Sequence, residues 1–108
     1  MNRDIAMERL FEEIEIDYIT WAEAAGIKRV SHHWYEGGGR KYKKIISVNE
    51  SGHESVWGFI VNGDSGKFKD GDILKAASWS APATNKARGN IFDDEYTVCW
   101  TGPEYLRG

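Results

Sequence analysis

Residues 3–25 read RDIAMERLFEEIEIDYITWAEAA and are followed by Gly26. Met7, Leu10, Phe11, Ile14, Tyr18, Trp21, Ala22 and Ala25 recur at spacings of three and four, so they share one face of a helix. Gly26 closes it, being free to take the positive φ with which helices commonly end. Beyond Ile27 the apolar period changes from helical to two, and this switch decides the class. One amphipathic helix precedes a run of strands.

Working outward, Lys28–Tyr35 and Lys41–Val48 read as two strands joined by the turn Glu36-Gly37-Gly38-Gly39-Arg40. Asn49-Glu50-Ser51-Gly52 is the next turn. In Glu54–Val61, alternation puts Ser55, Trp57, Phe59 and Val61 on one side and Val56, Gly58 and Ile60 on the other. Asn62-Gly63-Asp64-Ser65-Gly66 breaks that strand, Asp72–Trp79 reads as a fourth, and Tyr96–Thr101 as a fifth before Gly102-Pro103. Trp34, Trp57, Trp79 and Trp100 then fall one to a strand.

The expected fold is α+β, an N-terminal amphipathic helix packed on a strongly twisted, mostly antiparallel sheet of about five strands. A closed five-strand barrel is the structural alternative. A chain of 108 residues is expected to form a single domain over residues 1–108, with the helix in 1–26 and the sheet region in 27–108. Five Trp, five Tyr and four Phe imply an aromatic core, since each buried ring removes about 150–250 Å² from water.

Cys99 is the only cysteine, so no internal disulfide forms, and acidic residues rather than an apolar export segment follow the start. No apolar run approaches the ~20 residues that span a bilayer. The expectation is a cytoplasmic protein without a membrane role.

The net charge of −3 conceals a polarity. Residues 1–25 hold seven acids and two bases, whereas residues 28–46 hold six bases and one acid. Either the domain presents an anion-attracting patch, or the acidic helix neutralises the basic hairpin.

Four surfaces are candidates for function. On the helix, Ile5, Ile16 and Ile19 lie opposite the apolar face, among Glu8, Glu12 and Glu23, and suit self-association or partner docking. The hairpin interleaves Lys28, Arg29, Arg40, Lys41, Lys43 and Lys44 with His32, Trp34, Tyr35 and Tyr42, and Arg40, Lys41, Tyr42 and Lys44 suit single-stranded nucleic acid. A net acidic chain without a recognised nucleic-acid signature weighs against that use. In the segment Asp70–Phe92, Lys75, Trp79, Arg88 and Asn90 are candidates for a ligand or partner. Trp79 itself reads as core, so that its truncation to Ala would cost about 3–5 kcal/mol. Glu8, Glu12 and Glu15 lie close on the helix and read as a solvated acidic face.

No cofactor or catalytic motif is complete. Gly63-Asp64-Ser65-Gly66 matches the surroundings of a protease serine only as a turn does, and Gly37-Gly38-Gly39-Arg40-Lys41 lacks the ending of a phosphate loop. His32 and His33, adjacent in a strand, face opposite ways, and Asp64, Asp70 and Asp72 miss the spacing of a calcium loop, so neither a metal nor another cofactor is expected.

The block Gly71-Asp72-Ile73-Leu74-Lys75-Ala76-Ala77-Ser78-Trp79-Ser80-Ala81-Pro82-Ala83, with Ala87-Arg88-Gly89-Asn90-Ile91 after it, resembles a family of short proteins encoded by tailed bacteriophages. Lys41-Tyr42-Lys43-Lys44-Ile45-Ile46 and Ser55-Val56-Trp57-Gly58-Phe59-Ile60 occupy the places of that family's two preceding strands. The similarity covers about residues 40–91. It implies a phage-type source and carries no assigned activity. The expected function is a small non-enzymatic accessory protein that binds a host or phage protein and forms a homo-oligomer. Single-stranded nucleic-acid binding is the alternative, and an enzyme or small-ligand sequestering protein with a deep pocket at Lys75, Trp79 and Arg88 is third.

Overall fold

The computed structural model describes residues 2–28, 31–64 and 66–103. Helix α1 (Arg3–Ala24) begins where the Asn2 side chain accepts the Ile5 N–H at 2.9 Å. It ends as expected at Gly26, φ +66°, where Gly26 N–H bonds Glu23 O and Ile27 N–H bonds Ala22 O. These paired bonds satisfy carbonyls that the last turn leaves open.

Five strands follow in one antiparallel sheet: β1 (His33–Glu36), β2 (Tyr42–Val48), β3 (Glu54–Val61), β4 (Asp72–Leu74) and β5 (Gly89–Asn90). Their spatial order is β1-β2-β3-β4-β5, with β1 and β5 at its two ends, so the sheet is an open meander rather than a barrel. A separate hairpin pairs β6 (Val98–Cys99) with β7 (Gly102–Pro103). The architecture is α+β.

Both faces of the sheet are covered. Ala6, Met7, Leu10 and Ile14 of the helix pack on Ile45, Trp57, Ile60, Ile73, Ile91 and Val98, forming the main core. On the other face Phe59, Val61, Phe68 and Leu74 form a second cluster, against which Tyr42, Val56, Ala76 and Ala87 pack. The loop between β4 and β5 is thus a cover.

The alternation expected for β3 fails at one point. Ile45 pairs with Gly58 while its neighbour Ile46 pairs with Val56, leaving Trp57 as the extra residue of a β-bulge. The bulge shifts the phase, so Trp57 joins Ile60 on the helix side while Phe59 and Val61 face away. The indole Nε1 of Trp57 donates to Cys99 O at 2.8 Å and fastens the β6–β7 hairpin to the sheet.

Other boundaries also differ from expectation. The first strand begins at His33 rather than Lys28, and Arg29 and Val30 lie outside the described residues. The fourth ends at Leu74, because β5 pairs only with Asp72 and Ile73 and the small residues after Lys75 bend into a loop. Tyr96–Thr101 is not the fifth strand; Val98–Cys99 belongs to the small hairpin, with Trp100 in its turn. Only Trp34 and Trp57 of the four tryptophans lie in strands.

Far contacts tether the helix to late parts of the chain. Arg3 Nη1 pairs with Asp70 Oδ1 at 3.1 Å, Arg9 donates to Asp93 O, and Trp100 N–H donates to Asp17 Oδ2 at 2.8 Å. Among the described residues no ion pair ties the helix carboxylates to Arg40, Lys41, Lys43 or Lys44. No described helix is long and apolar enough to cross a membrane.

Candidate functional site

Trp79 is 47% exposed, at the tip of a loop, and not in the core. The loop closes on itself: Ala83 N–H bonds Lys75 O, Ala77 and Ser78 N–H both bond Ala81 O, and Ala76 bridges Pro82. Half the indole surface stays in water, so the cost of truncation expected of a core residue does not apply.

The register explains what the loop reaches. Lys44, Phe59 and Leu74 form one row across β2, β3 and β4, with strands about 4.8 Å apart. The loop leaves just after Leu74 and folds back along this row. It brings the Trp79 ring to 4.3 Å from Lys44 Nζ. Two candidate surfaces separate in sequence thus become one.

In the second cluster on this face, Lys67 Nζ lies 5.3 Å from the Phe68 ring, and Lys41 Nζ lies 5.4 Å from the Tyr42 ring. Lys67 also donates to Asn85 O, and Arg88 Nη2 to Asn85 Oδ1 at 3.3 Å. Lys67 was not singled out in the sequence, where nothing local links it to residues 75–88. Strand alternation sends Lys43 to the helix side with Ile45, apart from Lys44. Arg40 is exposed at the hairpin end, and its carbonyl accepts from Asn62.

The remaining candidates have structural duties. Lys75 is half-buried at the loop's base, where its carbonyl closes the loop. Asn90 donates to Asp70 O and Asp72 Oδ1 and accepts from Phe92 N–H, so both ends of its amide hold the turn that leads into β4 beside the chain that leaves β5. Asp64 accepts from Asp70 N–H, and Asp72 from Lys69 N–H, as turn carboxylates do. Ser65 lies outside the described residues. On the helix, Ile5 and Ile16 are 52% and 57% exposed, and Ile19 is half-buried.

Among the described residues, the following three open hollows lie on the helix side. One of about 360 Å³ is lined by Arg3, Asp4, Met7, Glu8, Phe11 and Glu36. A second of about 530 Å³ lies among Arg9, Glu13 and Asp94–Thr97, and a third of about 120 Å³ by Phe11, Glu15, His32, His33 and Trp34. None of these three is lined by Lys75, Trp79 or Arg88. Among the described residues no three His, Cys, Asp or Glu side chains gather as metal ligands.

Beside the smallest hollow, Tyr18, Trp21, His32, Trp34 and Trp100 pack ring against ring at centroid distances of 4.7–6.2 Å. His32 stacks on Trp34 and shares a 2.6 Å hydrogen bond between Nε2 and Ser47 Oγ. Burial first, and then the neighbouring His33, hold the His32 imidazole below its ordinary pKa. The unfolded chain binds a proton here more readily than the folded one. The contribution of His32 to stability is therefore full above the ordinary histidine range and is lost as pH falls through the folded value. Urea unfolding at about pH 7.5 and about pH 5.5 should show a larger loss for the parent chain than for His32→Gln. Equal losses would refute this coupling.

The chain belongs to DUF7717, a family of unknown function. The match runs over residues 4–105 and takes in the helix, the sheet and the Trp79 loop. Comparison with curated proteins and with solved structures gives no match. Membership of DUF7717 thus agrees with an uncharacterised family and reaches well beyond residues 40–91.

Proposed function

We propose that this DUF7717 protein is a small, non-enzymatic accessory protein of phage type that works in the cytoplasm by binding a protein partner. The working surface is the Trp79 loop with Lys44. One observation carries the reading: Trp79, large and apolar, is held half in water beside Lys44 by a self-closed loop. Exposed Trp next to cations is the composition of interface hot spots, where a few residues supply most of the binding energy. The Lys44 ammonium beside it favours a partner surface that presents carboxylates.

Nucleic acid is the less favoured occupant. Stacking of bases requires open ring faces. Tyr42 instead packs against the Phe59–Leu74 cluster, and Phe68 is buried within it. Trp79 alone makes a poor base-stacking track.

A photo-crosslinking residue at exposed Ser80, introduced in cells that make the protein, tests the proposal. The expected adduct is with an acidic protein, and Trp79→Ala or Lys44→Glu removes it. For the Trp79 change the affinity should fall at least about 30-fold, the equivalent of about 2 kcal/mol. Adducts with nucleic acid, or none at all, would overturn the reading.

A further inference from the structure

We infer that the partner of the Trp79 face is the outer helix face of a second copy, so that copies associate head to tail. This rests on the reading of the Trp79 face as a protein-binding surface. The argument is one of complementary surfaces on opposite layers. Outward from the helix stand Glu8, Glu12 and Glu23 with Ile5 and Ile16. The two helix cations are drawn aside: Arg3 pairs with Asp70, and Arg9 lies 4.8 Å from the Tyr96 ring. The opposite layer offers Trp79 beside Lys44.

Two identical helix faces brought together around a two-fold axis would place carboxylates against carboxylates. Placing a helix face on a Trp79 face instead sets the helix carboxylates against Lys44 and covers exposed isoleucine with tryptophan. Such a contact joins unlike surfaces, so each copy keeps one face of each kind and the association propagates.

Sedimentation velocity of the whole chain provides the test. At about 50 mM NaCl the mean mass should rise with concentration beyond a dimer, and at about 500 mM it should return to the monomer. Ile16→Glu should abolish association by breaking the helix face, and Lys44→Glu combined with Trp79→Ala by breaking the other. Both alter exposed or half-exposed positions, and unchanged circular dichroism verifies that each variant is folded. Mixed one to one, the two variants should form dimers and nothing larger, because each retains the surface that the other lacks. A parent chain that is monomeric throughout, or a mixture that stays monomeric, would overturn the inference. If Ser80 meanwhile crosslinks to a different acidic protein, the binding function stands without it.

Discussion

Trp57→Ala is expected to cost about 3–5 kcal/mol of folding stability, and Trp79→Ala less than about 1 kcal/mol, because the first indole fills the core and the second stands on an exposed loop. Trp57 is 2% exposed, sits in the main core and donates to Cys99 O. Its truncation leaves a cavity between helix and sheet and removes the indole donor from Cys99 O. For a domain of this size the melting temperature should fall by roughly 12–25 °C. Trp57→Phe keeps most of the ring and loses the hydrogen bond, so a loss of about 1–3 kcal/mol is expected. Denaturant unfolding of the three variants measures all of this. Equal losses for Trp57→Ala and Trp79→Ala would contradict the placement of both residues.

Gly58→Ala is the second large effect, from the addition of one methyl. A Cβ at position 58 would stand 2.8 Å from Leu74 O, 3.0 Å from Pro103 Cγ and 3.2 Å from Pro103 Cδ. The nearest atom is backbone of the neighbouring strand, and the proline ring has little room to turn. The β7 residue Pro103 seats the small hairpin on β3 by this absence of a side chain. A loss of about 1–3 kcal/mol is expected, as for overpacking elsewhere. In a Pro103→Ala background part of the strain is relieved, so the same substitution should cost less there. A double-mutant cycle by urea unfolding gives the coupling, and strict additivity would show that Pro103 is not the obstacle.

The legibility of the fold depended on how local each signal was. Helix α1 carried its period and its Gly26 stop within one segment, and Glu54–Val61 showed both bounds of β3. The inward side of β3 was not legible past Trp57, because the bulge depends on the pairing of Ile45 and Ile46 in another strand. Gly89–Asn90 is too short to show a period, and glycine has no preference for strands, so β5 passed as loop. Trp79 was misread for a related reason. The continuation of β4 needs a partner strand beyond Gly89, and none is supplied.

The candidate surface was legible only as separate pieces. Lys44 and Trp79 each stood out by residue type, but their adjacency follows from the row through Phe59 and Leu74, which pairs three strands. Asn90 drew notice as an exposed-type polar residue in an unexplained segment. Its three hydrogen bonds show a residue needed to shape the turn.

The tethering of α1 to Asp70, Asp93 and Trp100 has a consequence for biosynthesis. On the ribosome the helix emerges before the sheet, while several of the groups that hold it in place are translated about 50 to 80 residues after it. The meander β1 to β4 requires only neighbouring hairpins and can zip up as it leaves the exit tunnel. Until Val98 and Trp100 are made, the apolar face through Met7, Leu10 and Ile14 lacks part of its cover. A stalled nascent chain ending before residue 98 should therefore expose this face to chaperones.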